Sequence, residues 1–304
     1  MHESVLLYEV ISGLQLQPGH VVLDGTVGSG GHSEAILEAI GLTGLLIGID
    51  QDKSALERTR KRLERFKSQL ILEHFNFRNL DQALKEFKIS AVDAVLLDIG
   101  VSKEQLTNGA RGFSFRSDGP LDMRMDPSSS GKTASDLIQM LTEEDLAEIF
   151  HKYGEERHAR RFARLIAAER KEAPIRTTRA LAQLIEEHVP VRVRFGRLHP
   201  ATRIFQALRI AVNGELDALK EGLEKSIAVL KPGGRLAVIS FHSLEDRIVK
   251  HTFLAAKNEK KMEILTKKPI IPSEEESTRN PNSRSAKLRI AKKISGGFVK
   301  EKNQ

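Results

Sequence analysis

The sequence predicts an α/β protein whose open, mostly parallel sheet is interrupted by a basic helical insertion. In the first third of the 304 residues, short aliphatic runs alternate with longer helical patterns, as expected of βαβ units. A long helical stretch without strand patterns then follows, and a further aliphatic run comes after it. The runs are continuously apolar, so we expect the sheet to be covered on both faces.

The individual elements follow from these runs and from the residues that interrupt them. Strands are predicted, in chain order, at Val21–Asp24, Leu45–Asp50, from Leu70, at Ala91–Asp98, at Arg235–Phe241 and, as an edge strand, at Ala286–Ala291. Helices are predicted at Ser33–Ile40, from the second strand through Phe66, and at Arg203–Leu230, where Lys231-Pro232-Gly233-Gly234 ends the last one. The polar stretch Lys257–Ser283 is expected to be a flexible excursion.

The pattern changes between the fourth and fifth predicted strands. Ile99–Gly131 is rich in Gly, Ser, Asp and Arg and predicts a long loop of the kind that is usually functional. Thr133–Val189 is helical by its period. We therefore expect a discontinuous sheet domain, 1–130 with 200–304, and a helical insertion at 133–198.

The positive charge is concentrated in part of this insertion. The chain has 48 Lys and Arg against 41 Asp and Glu, a net charge of +7. Residues 151–209 contain twelve Arg and two Lys against six Glu and no Asp, so this segment accounts for the whole excess. Two interpretations stay open, a solvated helical face and a phosphate-binding surface.

Several classes of protein are excluded or disfavoured by composition. Because Cys is absent, the chain has no disulfides, no thiolate metal sites and no cysteine nucleophile. We expect no metal. No apolar run approaches the roughly 18 residues of a spanning helix, and Met1–Ser4 lacks a basic region. We therefore expect a cytoplasmic protein without a membrane partner.

A ligand site is predicted where the first strand ends. Asp24 is followed by Gly25-Thr26-Val27-Gly28-Ser29-Gly30-Gly31-His32-Ser33, in which glycines allow a ligand to approach the backbone at a helix N-terminus. Asp50 lies 20 residues beyond Gly30, where a carboxylate can accept both ribose hydroxyls of an adenosine. Asp24, Asp50 and Asp98 all end predicted strands, so we expect them along one edge of the sheet.

Two cofactors compete for this site. A dinucleotide fold would need G-x-G-x-x-G, but Gly28-Ser29-Gly30 lacks the third glycine. The carboxylate of Asp24 suits the ammonium and sulfonium of S-adenosylmethionine better than two phosphates. S-adenosylmethionine is the favoured cofactor, an NAD-type oxidoreductase is the alternative, and a merely tight strand–helix turn also stays open. His32 is interpreted as a helix-start residue beside the cofactor.

Beyond this turn, the chain resembles the small-subunit ribosomal RNA methyltransferases of the H type. The resemblance extends from His2–Leu7 to Asn282–Arg289. Its motifs, besides the glycine turn, are Asp98–Ser102, Arg111–Phe115, Gly119–Asp126, Tyr153–Arg157, His199–Arg203, Phe205–Arg209 and Ser240–Arg247. It implies a class I, Rossmann-like methyltransferase sheet with an inserted all-α domain. The implied reaction is methylation of the exocyclic N4 of a cytidine in the decoding region of 16S rRNA.

The resemblance also implies which residues contact the cofactor. They are Gly30, Gly31, His32, Asp50, Phe77, Asp98 and Gln105. Three of these assignments have a chemical basis of their own. Asp50 suits the ribose, Phe77 can stack on an adenine, and Asp98 at the end of a strand can accept a hydrogen bond. Lys103-Glu104 stand where the family commonly has Ser-Pro before Gln105.

The residues expected at the substrate lie further along the chain. A target base must leave its stack, and the loop 111–126 offers aromatic rings and guanidinium groups for it. The candidates are Arg111, Phe113, Phe115, Arg124, His199, Arg203 and His242. Two structural alternatives stay open. In one, the two phenylalanines pack the loop onto its domain; in the other, His242 makes a structural hydrogen bond. Ser243-x-x-Asp246 is interpreted as a capping box.

The chemistry leaves the activating group unassigned. A carboxylate that accepts an N–H of the amine would raise its electron density, and Asp98 is a candidate for this role. Asp98-Ile99-Gly100-Val101 replaces the Asp/Asn-Pro-Pro-aromatic turn expected of a DNA N4-cytosine methyltransferase, which is a further alternative. Methylation at C5 needs a thiolate and is excluded.

The expected partner is 16S rRNA within the small ribosomal subunit, docked by the arginines of the insertion. A non-catalytic RNA-binding protein would not need the glycine turn with Asp50. A homodimer is left open.

Overall fold

The computed structural model describes residues 4–194 and 199–294. The chain forms two compact units. The sheet unit comprises the residues up to Gly100 and those from Leu216 onward, and the helical unit comprises Val101–Glu215. His2-Glu3 of the family motif and the expected end of the insertion at 198 lie outside the described residues.

The sheet unit contains one seven-stranded sheet. Its strands are β1 Val21–Asp24, β2 Leu45–Asp50, β3 Leu70–His74, β4 Val92–Asp98, β5 Leu230–Ser240, β6 Met262–Ile264 and β7 Lys287–Lys293. Their order is β3-β2-β1-β4-β5-β7-β6. The pairs from β3 to β5 are parallel, and β7 is antiparallel to both of its neighbours. This arrangement confirms the expected class I, Rossmann-like methyltransferase sheet.

Helices account for most of the remaining described residues. Those of the sheet unit are α1 Leu7–Leu14, α2 Gly31–Ile40, α3 Lys53–Arg62 and α4 Leu80–Glu86. Those of the helical unit are α5 Lys103–Thr107, α6 Ala134–Met140, α7 Glu143–Gly154, α8 Ala159–Glu172, α9 Thr178–Glu187, α10 Val191–Arg194 and α11 Thr202–Asn213. The chain then continues with α12 Glu215–Val229, α13 Ser243–Asn258 and α14 Glu274–Arg279.

Both faces of the sheet are buried, as the apolar strands predict. Along β4, Val95 and Leu97 belong to a cluster with α4, α12 and α13, whereas Ala94 and Leu96 belong to a second cluster with α1 and α2. Alternate residues of a strand point to opposite faces, so each strand contributes to both clusters. The parallel strands therefore all end at one edge between two helical layers.

The C-terminal part of the sheet differs from the sequence-based expectation. The predicted edge strand is β7, but it lies between β5 and β6, and the edge is formed by the three-residue β6. Strand β6 and helix α14 both fall within the stretch 257–283 that was expected to be a flexible excursion. Both elements depend on contacts with segments that are distant in sequence, which a local polar composition does not reveal.

The predicted helix Arg203–Leu230 is two helices. Helix α11 ends at Asn213 and α12 begins at Glu215. Gly214 between them has φ 58°, a left-handed conformation that ends a helix and that glycine adopts without steric cost.

The helical unit has a core of its own, and its extent differs from the expected 133–198. Phe113, Leu121, Met123 and Met125 from the predicted loop are buried in the same cluster as residues of α6 to α9 and α11. These apolar side chains make the loop part of the unit's core, so the unit begins at Val101. Within residues 4–194 and 199–294, no helix has the length and apolar character needed to cross a membrane.

Candidate cofactor site and the residues of the helical unit

The glycine turn between β1 and α2 is a compact backbone cradle. Gly28 and Gly30 have φ values of 55° and 79°, which favour glycine. The Gly30 amide donates to the Val27 carbonyl at 2.9 Å, and a Cβ on Gly30 would lie 2.9 Å from Thr59 Cγ2. The turn therefore has no room for side chains at Gly30, and it leads directly into the N-terminus of α2.

Asp24 ends β1 and is fully buried. Its carboxylate accepts hydrogen bonds from the Ser33 hydroxyl at 2.6 Å and from the Thr26 amide at 3.1 Å. Burial raises the pKa of Asp24 to about 6, and these two donors only partly offset the cost of desolvation. The charge of Asp24 thus lacks full compensation at neutral pH.

Asp50 ends β2 and connects the strand to the glycine turn. Its two oxygens accept the Gly28 and Asp52 amides, each at 2.8 Å. Burial again dominates and raises the pKa of Asp50 to about 6. The carboxylate holds the turn in place, and its oxygens have further lone pairs that a ribose hydroxyl can use.

Asp98 ends β4, and one of its oxygens has no hydrogen-bond partner among the described residues. Its Oδ1 is buried and unpartnered, while the side chain as a whole is 24% exposed. Its Oδ2 lies 3.6 Å from His32 Nδ1. Burial, followed by the charges of Asp24 and Glu245, raises the pKa of Asp98 to about 8.

His32 is the second residue of α2, as the interpretation of a helix-start residue requires. The side chain is buried, and its Nε2 lies 3.0 Å from the Val5 carbonyl oxygen. A carbonyl can only accept, so Nε2 carries a hydrogen and donates it to Val5. The other nitrogen, Nδ1, faces Asp98.

The three carboxylates form one group at the edge of the sheet. Strands β2, β1 and β4 are adjacent, and Asp24, Asp50 and Asp98 are their last residues. All three pKa values are raised, because burial penalises the charged forms. A positively charged ligand would relieve that penalty, whereas a negatively charged pyrophosphate would not.

Phe77, which the resemblance implies as a cofactor contact, is largely buried. It is only 8% exposed and belongs to the main core of the sheet unit. A Cβ on Gly222 of α12 would lie 2.5 Å from Phe77 Cδ2, so the ring packs closely on that helix. Little of the ring is left to contact an adenine.

His242 follows β5 and is the N-cap of α13. Its Nδ1 accepts the Glu245 amide at 3.4 Å, and Glu245 Oε2 accepts the Phe241 and His242 amides at 2.7 and 3.2 Å. The capping box is therefore His242–Glu245, one residue earlier than the interpretation of Ser243-x-x-Asp246. Asp246 instead accepts from the Arg289 guanidinium of β7 at 2.6 Å.

Gln105 lies in the helical unit, on α5. Its side-chain oxygen accepts the Ser102 amide at 2.9 Å, and its own amide donates to the Ser102 hydroxyl at 3.2 Å. The pair is a capping box, and Gln105 is buried. Gln105 therefore caps α5, and a contact with the cofactor would be a second role of the same residue.

Three of the expected substrate residues hold the loop together. Phe113 is 6% exposed in the core of the helical unit. Arg111 donates to the Met125 carbonyl at 2.8 Å, and Arg124 donates to both oxygens of Asp122 at 2.8 Å. For Phe113, this packing corresponds to the structural alternative that the sequence left open.

Phe115, His199 and Arg203 are more accessible. The Phe115 ring stacks on His199 with centroids 4.3 Å apart, and it meets Phe205 edge-on at 5.1 Å. Arg203 is exposed, and its guanidinium donates to the Glu155 carbonyl at 3.0 Å. This aromatic pair lies within the helical unit.

The expected site residues are thus divided between the units. Gly30, Gly31, His32, Asp50 and Asp98 meet at the strand edge of the sheet unit. Phe77 and His242 belong to the same unit, whereas Gln105 and the other substrate candidates belong to the helical unit.

Some residues of the site were not predicted as such. Ser33 and Thr26 position Asp24 and Asp98, since the Asp98 amide donates to Thr26 Oγ1 at 2.6 Å. Both lie inside the glycine motif, so their spacing was a signal, although their partners were not. Val5 and Glu245 act through contacts that no local pattern reveals.

The exposed arginines of the helical unit include several without a side-chain partner among the described residues. They are Arg116, Arg157, Arg160, Arg176 and Arg179. Others are engaged, for example Arg164, whose Nε lies 3.4 Å from Glu143 Oε1. The unpaired guanidinium groups are available to an anionic partner.

Comparison with known proteins shows a match over almost the whole chain. The profile of the MraW methylase family matches residues 1–294. Two proteins called ribosomal RNA small subunit methyltransferase H, from Syntrophotalea carbinolica and Trichlorobacter lovleyi, are each 51% identical over 308 residues. Each alignment covers 96% of this chain and 98% of the relative. A crystal structure of an rRNA methylase from Streptococcus thermophilus aligns with a TM-score of 0.46 at 12% identity, over 97% of this chain and 99% of that one.

Proposed function

The chain belongs to the MraW methylase family, and we propose that it methylates the exocyclic N4 of one cytidine in the decoding region of 16S rRNA. It is an S-adenosylmethionine-dependent methyltransferase, as its relatives over nearly the full length are small-subunit ribosomal RNA methyltransferases. The choice of N4 and of the decoding region rests on the resemblance of the motifs.

The observation that carries the proposal is the group of three strand-end carboxylates beside the glycine turn. S-adenosylmethionine has a sulfonium and an ammonium. Burial raises the pKa values of Asp24, Asp50 and Asp98, so a bound cation would stabilise their charged forms. Asp50 would accept the ribose hydroxyls, and Asp24 would favour the cationic amino-acid part. Gly30 and Gly31 allow the turn to pack closely on Thr59 and Ser4 beside these carboxylates.

Bound S-adenosylmethionine supplies an activated methyl group, so the protein mainly has to place a neutral amine in line with it. The N4 amine is a weak nucleophile, because its lone pair is delocalised into the ring. A group of the protein that accepts one N–H of the amine would make it more reactive. Asp98, whose side chain is 24% exposed at the end of β4, is the candidate for this contact.

The helical unit is proposed to bind the RNA. Its exposed Arg157, Arg160, Arg176 and Arg179 would contact phosphates, and their lack of side-chain partners among the described residues supports this. The Phe115–His199 pair offers an aromatic surface for an unstacked base, with Arg203 exposed nearby in the same unit.

Location and assembly are part of the same proposal. A protein that methylates ribosomal RNA would act in the cytoplasm, and we propose that this chain does. Assembly as a homodimer is proposed with it. Light scattering of the purified chain measures its molecular mass.

The test is methylation of purified 30S particles with S-adenosylmethionine carrying a labelled methyl group, followed by mapping of the modified nucleotide. We expect N4-methylcytidine at one site in the decoding region. Label on another atom, or label in DNA offered in place of the particles, would contradict the proposal.

A further inference from the structure

The segment Ser4–Leu6, called the N-terminal segment below, lies directly against the glycine turn. The Val5 carbonyl accepts from His32 Nε2 at 3.0 Å, and a Cβ on Gly31 would clash with the Ser4 hydroxyl oxygen. All three residues of the segment are buried. Because Gly31 and His32 are two of the residues expected at the cofactor, the position of this segment constrains that part of the cradle.

The N-terminal segment ends in a conformation that needs support. Leu6 has φ 53° and ψ 35°, a left-handed backbone that is unfavourable for a residue with a side chain. It is also the N-cap of α1, and its side chain makes no capping hydrogen bond. Residues in such conformations persist only where the surrounding structure holds them. Burial of the Leu6 side chain supplies part of that support.

Glu276 of α14 supplies the other part. Its Oε1 accepts the Leu6 amide at 2.8 Å. In a capping box, this contact comes from a residue three positions beyond the N-cap, whereas here the acceptor is 270 positions away. The half-buried carboxylate thereby also lies at the N-terminus of α1, where a negative charge is favourable.

Helix α14 is itself fixed to the sheet. Ahead of it, Ile270 and Leu288 of β7 exchange two backbone hydrogen bonds of 2.9 Å. Behind it, the 3₁₀ turn Pro281–Ser285 leads directly into β7. Within the helix, the Ser273 hydroxyl accepts the Glu276 amide at 3.1 Å. Glu276 therefore has a fixed position from which it can hold the N-terminal segment.

From these contacts we infer that Glu276 is a positioning residue for the cofactor site. By holding the backbone of Leu6, it keeps the N-terminal segment against Gly31 and His32. It acts on the cofactor through this segment, and all of these residues belong to the sheet unit. The inference rests on the proposed function, since it takes the cofactor to lie beside this part of the glycine turn.

Calorimetry with S-adenosylmethionine tests the inference, because it measures the Kd and the fraction of binding-competent protein separately. Wild type, Glu276→Ala and Glu276→Gln are compared at a temperature at which all three are folded. We expect Glu276→Ala to raise the Kd about tenfold, the lower end of what a hydrogen bond to a charged group contributes. Glu276→Gln should stay within about threefold of wild type, because its side-chain oxygen still accepts the Leu6 amide.

Glu274→Ala is the matched control. It removes the same charge from the same turn of α14, but Glu274 is exposed and the Leu6 amide keeps its acceptor. The Kd should be that of wild type. Hydrogen exchange of the Leu6 amide gives a second measurement that does not depend on binding. Its protection should fall in Glu276→Ala and persist in Glu276→Gln and Glu274→Ala.

Three results would overturn the inference. The first is a wild-type Kd from Glu276→Ala. The second is a smaller fraction of competent protein with an unchanged Kd, which is the result of a purely structural role. The third is an equal loss of affinity in Glu276→Ala and Glu276→Gln, because the hydrogen bond to Leu6 would then not be the cause.

Asp50→Asn separates these results from failure of the proposed site. If the cofactor lies beside the glycine turn, Asp50→Asn raises the Kd whatever the result for Glu276→Ala. A wild-type Kd from Asp50→Asn would contradict the site itself, and the inference would fall with it. Failure of the proposed reaction would look different again, since wild type would bind S-adenosylmethionine without methylating the N4 of a cytidine.

Discussion

At the scale of single residues, the strand-end carboxylates are the feature that most constrains the chemistry. Burial is the main cause of the raised pKa values of Asp24 and Asp50. Asp24 accepts hydrogen bonds from one amide and one hydroxyl, and Asp50 accepts them from the amides of Gly28 and Asp52, so none of these donors is a cation. The site is therefore incomplete electrostatically until a cation binds.

Cofactor affinity should fall in acid. We expect S-adenosylmethionine to bind about tenfold more weakly at pH 5 than at pH 7.5, because Asp24 and Asp50 take up protons near their pKa values of about 6. Isothermal titration calorimetry at the two pH values measures the change. In Asp24→Asn, the pH dependence should be smaller.

The effect of Asp24 and Asp50 on folding stability has the opposite pH dependence to their effect on cofactor affinity. Their pKa values are raised from 3.8, so the folded protein holds more protons than the unfolded chain between about pH 4 and pH 6. Their contribution to stability is therefore fully present below pH 3.8 and is lost as the pH rises through about 6. Equal affinity at pH 5 and pH 7.5 would contradict the electrostatic account.

Gly30 provides a second test at the residue scale. Gly30→Ala should lower the free energy of unfolding by about 1–2 kcal/mol for the left-handed backbone, with a further loss from the contact at 2.9 Å with Thr59. Thr59 also donates to the Gly28 carbonyl, so the turn and cofactor affinity should suffer.

Gly233→Ala is the matched control. Gly233 has φ 83°, and no described residue apart from its chain neighbours lies within 4 Å of the added Cβ. It should show the backbone penalty alone, measured by urea unfolding, with cofactor affinity unchanged. Equal losses in both variants would mean that the contact with Thr59 is relieved without cost.

At the scale of elements, the start of α13 depends on a fully buried carboxylate. Glu245 accepts the amides of Phe241 and His242 and thereby connects the end of β5 to the helix. His242 faces this carboxylate with Nε2, 3.1 Å from Glu245 Oε1. A capping role explains His242 without substrate contact, although the substrate role stays a prediction.

Removing this cap should be costly. We expect Glu245→Ala to lower the free energy of unfolding by about 1–3 kcal/mol, since two amides lose their acceptor in a buried place. Glu275→Ala on α14, where the side chain is exposed, should change stability little. Thermal and urea unfolding of the two variants measure the contrast. If Glu245→Ala left the free energy of unfolding unchanged, water would be satisfying both amides.

At the scale of the whole molecule, two units with separate cores divide the expected functions. The sheet unit has the carboxylate group, and the helical unit has the exposed arginines and the Phe115–His199 pair. The helical unit is chemically suited to an anionic polymer, whereas the strand edge is suited to a small cation.

RNA binding should depend on salt through the arginines of the helical unit. We expect a variant with four of them changed to glutamine to bind 30S particles more weakly, and its plot of log affinity against log salt to be flatter by about 0.7–0.9 per lost phosphate contact. The four are Arg157, Arg160, Arg176 and Arg179. Filter binding between low and moderate salt measures the slope.

A variant with four exposed cations of the sheet unit changed to glutamine serves as the control. These are Lys61, Arg65, Lys67 and Lys85. The control should keep the wild-type slope. If the two variants weaken binding equally, net charge rather than the helical unit would account for the affinity.

The sequence by itself determined the first two strands, the glycine turn and the family. The runs at Val21–Asp24 and Leu45–Asp50 match β1 and β2, and the spacing of Asp24, Asp50 and Asp98 placed them at one edge. Such features are local: a strand's apolar character and the residue that ends it are written within a few positions of the chain. The motifs that indicated the family are likewise short stretches of sequence.

Only the tertiary structure decided what each side chain touches. It put β7 inside the sheet, buried Phe77 and Phe113 in two cores, moved the capping box to His242–Glu245 and brought the Val5 carbonyl to His32. These outcomes depend on which distant segments pack together. Val5 and His32 are 27 positions apart, and their hydrogen bond leaves no periodic pattern in the sequence near either residue. Such a contact is therefore known only from the folded structure.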